Sequence, residues 1–542
     1  MKSYPTLRRW LSAVTTVAVF AVVLGVIVWS GRSASQEKEP AGQTKAEDSH
    51  TWPMWGGSPF RDMVNLHETN LPTEWSIEEG NQKNIKWSAD LGSKAYAGPV
   101  VADGKVFVCT NNDHPRNPRD TDTDKRPVDK GILLCFRESD GQFLWQAVHD
   151  KLEAGRVNDW PGEGICSTPF IEGKRVYYVS NRCELVCADT EGFLDGKNDG
   201  AQDEKYKDKT DADFIWRLDM MKELNVFPHN LAASSPLVLG DLVYVVTSNG
   251  VDEGHINIPS PKAPSFIAVD KKSGKVVWQS NAPGLKIMHG QWSSPVYAKV
   301  NGKPEIIFPG GDGFLRGFDP ANGDLLWKFD CNPKNSVYLL GGNGTRSDFL
   351  ATPVTVDNRL YIGVGQDPEH EEGVGHFWCL DLEKAVRFGA SNPDHDVSPQ
   401  QDNFDPKAAV NQKSALAWHF GGAGDPQKLG RNYYFGRTMS TACVHDGLVY
   451  IAEIAGYLHC LDAQTGEEYW NHNMNAATWS SAYWVDGKVY LGNDDGHVLI
   501  FAQGKEKKLI NDIDMEGRIR ATPVAANGVL YLMTENKLYA VK

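Results

Sequence analysis

Residues 441–470 read "TACVHDGLVYIAEIAGYLHCLDAQTGEEYW". Two alternating apolar stretches meet at Asp446-Gly447, the dipeptide of a tight hairpin turn. A third stretch, a second turn at 462–466 and a last stretch ending in Trp470 follow within the same 30 residues. The fragment also carries His459, Cys460 and Asp462, residue types that bind metals, so it poses a choice between a site and an architectural unit. The rest of the chain decides it, because the fragment repeats.

The first half recurs as "GPVVADGKVFV" at 98, "TPFIEGKRVYYV" at 168, "SPLVLGDLVYVV" at 235 and "SPVYAKVNGKPEIIF" at 294. It continues as "TPVTVDNRLYIG" at 352, "SAYWVDGKVYLG" at 481 and "TPVAANGVLYLM" at 522, which with 441 makes eight copies. The second half recurs with its terminal tryptophan as Trp145, Trp216, Trp278, Trp327, Trp418 and Trp470; the seventh copy is expected to place Leu509 there. The eighth copy stops at "ENKLYAVK" without a fourth strand, while "NIKWSADL", 84–91, stands alone at the other end with Trp87. These observations predict an all-β chain: an eight-bladed propeller of four-stranded antiparallel blades, its ring closed by the N-terminal strand. One twisted sheet cannot bury both faces, but a ring of them can. The tryptophans are expected to wedge between blades.

The alignment accounts for most cysteines. Cys135, Cys187, Cys379 and Cys460 share a third-strand position that other copies fill with Ala268, Gly317 and Ala540, a small packing slot. Cys109 and Cys183, near strand ends, are the candidates for a disulfide pair. His459 and Cys460 point to opposite faces of one strand, so the apparent metal trio is part of a blade.

A net charge of −15 excludes a general nucleic-acid binder, which needs a basic face. At the N-terminus Lys2, Arg8 and Arg9 precede an apolar run from Leu11 to Trp29. Such a run as a helix spans roughly 30 Å of hydrocarbon, and the flanking charges orient it with the N-terminus inside. The expected organisation is a cytoplasmic basic segment 1–9, a transmembrane signal-anchor 10–30, a flexible linker 31–50, a lead-in 51–83 and the propeller 84–542. The propeller would then lie outside the cytoplasm, in the periplasm, anchored by one helix. Cleavage near "GRSAS", 31–35, is the alternative.

The signature "LDAQTGEEYW", 461–470, with "VDKKSGKVVW" and "FDPANGDLLW", resembles the pyrroloquinoline-quinone-like (PQQ-like) repeat family over about 84–542. "TWPMWGG" with "LPTEWS" downstream is similar to the lead-in of long, membrane-associated members. The resemblance implies a propeller and leaves two functions open. Quinoprotein alcohol dehydrogenases of this family use PQQ with calcium; other members, such as the propeller scaffold of outer-membrane β-barrel assembly, are non-catalytic. This chain has no adjacent cysteines, no Cys-x-x-Cys-His haem motif and no matched Glu, Asn and Asp calcium set. The expectation is therefore a non-catalytic binding or scaffold module of the cell envelope. PQQ-dependent oxidation of alcohols or sugars is the alternative, with PQQ and calcium as its cofactors, and a small-ligand or polysaccharide-binding propeller is a second.

Loops are long at 111–130, 249–263 and 365–375, and so are the blade connections at 150–163, 221–232, 333–348 and 421–437. All of these belong to one face, the expected seat of an envelope protein partner or a small ligand. Residues just before each first strand should approach the channel mouth: Lys94, Tyr96, Glu163, His229, His289, Trp292, Arg346, Asp348, Arg437, Trp479, Arg518 and Arg520. The inserts 195–213 and 384–414, and "DTDTDK" at 120–125, read as solvated excursions.

Overall fold

The computed structural model describes residues 50–366, 373–399 and 410–542. The propeller lies within the compact unit Gly42–Lys542. Its first blade comprises Val100–Ala102, Lys105–Asn111, Lys130–Arg137 and Phe143–Asp150, hydrogen-bonded in that order. Blade 6 is Cys443–His445, Leu448–Ala452, Tyr457–Asp462 and Glu468–Asn473. Eight sheets occur among the described residues: six have four strands, and a fifth is added by Tyr433–Phe435 in blade 5 and by Val64–Asn65 in blade 7. In blade 8 the outer strand is Ile85–Asp90, which pairs antiparallel with Lys537–Val541 and closes the ring. The expected signal-anchor lies outside the described residues. Among those described, no helix is long and apolar enough to cross a membrane.

Each small slot stands opposite a tryptophan: Cys135 opposite Trp145, Cys187 opposite Trp216, Ala268 opposite Trp278. Gly317 faces Trp327, Cys379 faces Trp418, Cys460 faces Trp470 and Ala540 faces Trp87. A large indole needs a small residue across the strand pair, since interiors pack near crystal density. The indole then reaches the neighbouring blade. Trp145 Nε1 donates to the Thr190 carbonyl, Trp216 to Lys271, Trp278 to Pro320 and Trp418 to Ala463, each at 2.8 to 3.0 Å. All nine cysteines are free, Cys109 and Cys183 included. Buried in separate apolar clusters, these two do not form the pair the sequence suggested.

Blade 7 corrects the register. A bulge between Ile500 and Phe501 places Asn511, not Leu509, opposite the third-strand slot. The missing indole is replaced from the lead-in. Trp75 is buried in the cluster that holds Tyr490 and donates to Met515 Sδ at 2.9 Å. Asn511 Nδ2 donates to the Thr73 carbonyl, and the Tyr490 hydroxyl to that of Pro72.

The inserts are also not simple solvated loops. Residues 195–213 run along the outer strand of blade 1, where Gln146 bridges Asp211 in parallel and exchanges backbone bonds with Thr210 and Ala212. In the same way Asp396 bridges Lys328 on the outer strand of blade 4, and helix Leu382–Gly389 packs there with Gly389 against Leu326. Both inserts satisfy an open sheet edge, which otherwise presents unpaired backbone groups. Asp120, at the head of "DTDTDK", is fully buried and accepts from Lys130 and Gln146.

The lead-in has a larger role than an approach segment. Between Trp52 and Asn65 it threads the ring and bonds first strands or their approaches in all eight blades. Trp52 pairs with Val101 of blade 1, and Pro53 accepts from Ile171 of blade 2. Pro59, Phe60, Asp62 and Met63 accept from Tyr297, Thr355, Val444 and Trp484 of blades 4 to 7. Asn65 Nδ2 donates to Ala525 of blade 8. Arg61, fully buried, donates to the carbonyls of Trp55, Ser235, Pro236 and Pro295 and so engages blades 3 and 4. Burial pulls its guanidinium down to about 9 and pushes the neighbouring Asp62 carboxyl up to about 6. The channel is thereby filled along its first strands.

Candidate functional site: the channel mouth

Because the plug fills the channel, the side reached by the blade connections becomes a one-ended pocket of about 310 Å³. This is the lower end of the size range for small-molecule sites. Trp55 of the plug lines it together with Trp160, Trp292, Trp479 and Tyr96 from four connections. Below them run hydroxyls contributed by the Ser or Thr that opens seven of the eight hairpin phrases; blade 1 has Gly98 there. Thr168 N donates to Ser235 Oγ and Ser235 N to Ser294 Oγ; Thr441 N donates to Ser481 Oγ and Ser481 N to Thr522 Oγ. These bonds fix the spacing of neighbouring first strands, and with it the pocket walls.

One wall carries a charge relay. Asp494 holds Arg520, whose Nη1 donates to the Tyr96 hydroxyl at 2.8 Å. Burial, and next to it the charge of Glu163, raises the Tyr96 phenol. Arg520 also lies 4.5 Å from the Trp479 ring centroid, a cation–π contact. Glu163 keeps one carboxylate oxygen with no partner in the protein, and so does the Trp55 indole nitrogen. Buried polar atoms without partners are uncommon, so these two mark where a bound group would be recognised. Cys166, beside them, is pushed up to about 12 by burial and by Glu163, so it is held as the thiol.

Of the residues singled out in the sequence, His289, Trp292, Trp479, Tyr96 and Glu163 line this pocket. Arg520 and Lys94 stand behind it, Lys94 3.7 Å from Glu535. His229 backs Trp292, whose indole nitrogen donates to the His229 carbonyl at 3.1 Å. Arg346 is instead a clamp, bound to Asp330, the Asp312 carbonyl and Ser336. Asp348 bridges Gly365 through its backbone, and Arg437 accepts from Ile454 through its carbonyl. Both side chains are buried and outside the pocket lining. Arg518 is exposed and also outside it. Sequence reasoning missed Trp55, Trp160, Asn230 and His255. The first was hidden because nothing local says that the lead-in enters the ring. His459 of the opening fragment is neutralised by architecture: it is buried between Glu453 and Glu468 at 2.6 Å each, and Arg431 forks onto Glu453.

The pocket does not fit PQQ with calcium. PQQ is a tricarboxylate and calls for cations, yet among the described residues the lining contains neither Lys nor Arg. Calcium takes six to eight oxygens, and the described lining offers one carboxylate, Glu163, and one side-chain amide, Asn230, beside hydroxyls partly committed to the ring. No disulfide lies among the described residues to cover a quinone.

The fold and pocket define a class: an eight-bladed propeller with a plugged channel and an aromatic mouth. The sequence profile described as "Outer membrane protein assembly factor BamB" (PQQ_2) matches residues 207–368 and 408–542. That is more than half of the chain, which belongs to this PQQ-like repeat family. A polyvinylalcohol dehydrogenase of Sphingopyxis sp. (strain 113P3) is 24% identical over 306 residues, covering 52% of this chain and 42% of that protein. This chain thus spans less than half the length of that relative. Among solved structures, a europium-containing methanol dehydrogenase superposes with a TM-score of 0.54 at 12% identity, covering 93% of this chain and 98% of that one. BamB from Moraxella catarrhalis gives 0.47 at 14% identity, with 84% and 95% covered. At such identities the likeness concerns the fold alone.

Proposed function

We propose that this chain is a non-catalytic binding propeller of the cell envelope, held outside the cytoplasm by its N-terminal segment, and that the channel mouth is its binding site. One observation carries the reading: the mouth is a closed-ended, aromatic-walled pocket whose unanswered polar atoms are a Glu163 carboxylate oxygen, the Trp55 N–H and the Thr441 hydroxyl. The ligand it suits is a flat ring bearing a cationic or N–H donor group toward Glu163. Aromatic walls hold the face of such a ring, and a buried carboxylate rewards a donor. The rival, a PQQ-dependent dehydrogenase, is tested by mixing the purified protein with PQQ and calcium and following dye reduction with alcohols and sugars. No reduction above a PQQ-free control is expected; turnover that requires PQQ would overturn the reading.

A second reading, a protein partner at the same face, draws on exposed apolar side chains. Ile256, Leu285, Val337 and Leu339 are 74%, 72%, 50% and 49% exposed. They sit on three loops that touch one another, Gly341 N donating to the Met288 carbonyl and the Tyr338 hydroxyl to that of Ile287. Cross-linking in membranes, compared with a variant carrying Ile256→Ser and Leu285→Ser, tests it. A cross-linked partner lost in the variant supports this reading, and an unchanged pattern removes it.

A further inference from the structure

Three histidines from separate loops converge beside the mouth. His229 and His289 come from the connections into blades 3 and 4, and His255 from the long loop between the second and third strands of blade 3. His255 Nε2 stands 3.2 Å from His229 Nε2 and 2.8 Å from His289 Nε2. A ligating nitrogen from each ring lies within 4.8 Å of the others. His255 Nε2 thus faces the Nε2 of both other rings.

The local backbone is built for this approach. Gly250 lies where a Cβ would meet His229 Cβ at 2.6 Å and the His289 carbonyl at 2.7 Å. Val251 then ties both ligand loops: its N–H donates to the His289 carbonyl, and its carbonyl pairs with His229 Nδ1 at 2.9 Å. That second bond puts the proton of His229 on Nδ1 and leaves the Nε2 lone pair facing its neighbours. An outer hydrogen bond of this kind is the usual orienting device of a metal-binding histidine. Asp252 holds the His255 turn by accepting from the N–H groups of Ile256 and Asn257. Trp292 packs edge-on to His289 at 5.2 Å.

A neutral imidazole has one N–H, so His255 Nε2 can donate to only one of the two nitrogens it faces. A cation at the centre accepts all three lone pairs. With zinc–nitrogen bonds of about 2.0–2.1 Å, a tetrahedral site separates its nitrogens by roughly 3.3 Å, beside the 3.2 and 2.8 Å by which His255 Nε2 stands from the other two. Three imidazoles, with no carboxylate in the cluster among the described residues, select a borderline transition ion over calcium or magnesium.

We infer that His229, His255 and His289 form a binding site for a divalent cation of the zinc type. It would tie the 249–263 loop to the connections of blades 3 and 4, with one coordination position left for water or an exogenous group. The inference does not depend on what fills the aromatic pocket.

The test uses the purified protein stripped with a chelator. Zinc is titrated by calorimetry, and cobalt(II) by its visible absorption, which is intense only in tetrahedral sites. One equivalent of zinc should bind, displace cobalt, and raise the thermal midpoint. His255→Ala, on a partly exposed loop, should weaken zinc binding on the order of a hundredfold or more and abolish both the cobalt bands and the thermal shift. His289→Ala should do the same, while His472→Ala should change nothing. Should either variant unfold, His255→Gln, which keeps the side-chain bulk, replaces it with the same expectation. Zinc binding that survives intact in a folded His255 variant would overturn the assignment, as would wild-type protein that binds calcium as tightly as zinc or binds neither.

Discussion

Cys460 and Trp470 face one another directly across the third and fourth strands of blade 6. The indole of Trp470 then donates to the Gly504 carbonyl of blade 7 at 3.1 Å. The pairing makes the slot size-limited. Cys460→Leu should overpack it and destabilise the protein by about 1–3 kcal/mol, read as a lower urea midpoint with an unchanged slope. At the next interface, Gly466 has φ +74° and a Cβ there would lie 2.4 Å from the Trp418 ring. Gly466→Ala should therefore cost at least about 1 kcal/mol by the same measurement, whereas Gly487→Ala, with open space around it, should cost less.

Trp75 stands in for the tryptophan that blade 7 lacks. Trp75→Ala should cost about 3–5 kcal/mol, an effect no unstructured lead-in would produce. A loss below about 0.5 kcal/mol, the range of ordinary surface changes, would show that the lead-in does not belong to the core.

Arg61 holds the plug through four carbonyls. Arg61→Met removes every donor and leaves acceptors buried, at about 1–3 kcal/mol for each group left unsatisfied. Limited proteolysis should then cut within residues 50–70 faster than in the wild type, while the blades stay resistant.

His459 supplies a pH dependence. Its carboxylate partners Glu453 and Glu468 outweigh burial and raise its pKa, and His459 lowers that of Glu468. A raised histidine stabilises the fold fully below its unfolded value of about 6.5 and loses that contribution as pH rises through the folded value. A lowered glutamate contributes above its unfolded value of about 4.3 and loses this as pH falls through the folded one. The stability difference between wild type and His459→Gln should thus be largest between about pH 4.5 and 6.5 and shrink on the alkaline side. Urea midpoints across that range check it; a difference that grows toward alkaline pH would contradict the ion-pair account.

The blades were legible in the sequence because each is local. Turn dipeptides, alternation and a terminal tryptophan repeat within about 40 residues, a period set by four short strands. The small slots followed because several residue types fill one aligned position. What stayed hidden was singular and long-range. Asn65 meets Ala525 and Arg61 meets Pro295 across hundreds of residues, and no repeat announces such contacts. Leu509 was misplaced by two residues because the turn before its strand is one residue longer than in blade 6 and the bulge then carries the slot partner on to Asn511. The arginines expected at the mouth were legible as residues but not as pairs: Arg346 and Arg520 are held by Asp330 and Asp494 and lie outside the pocket lining. His255 alone carried no signal until its loop was folded onto His229 and His289.

The mouth pocket carries the functional proposal, and the most direct test is an equilibrium titration read by calorimetry. Tryptamine, a flat ring with an ammonium group, is compared with indole-3-acetate, the same ring with a carboxylate. The account predicts that tryptamine binds saturably, that indole-3-acetate binds at least about tenfold more weakly, a difference of about 1.4 kcal/mol, and that Glu163→Gln removes the preference. Equal binding of both compounds in the wild type, or a preference for the carboxylate, would contradict it.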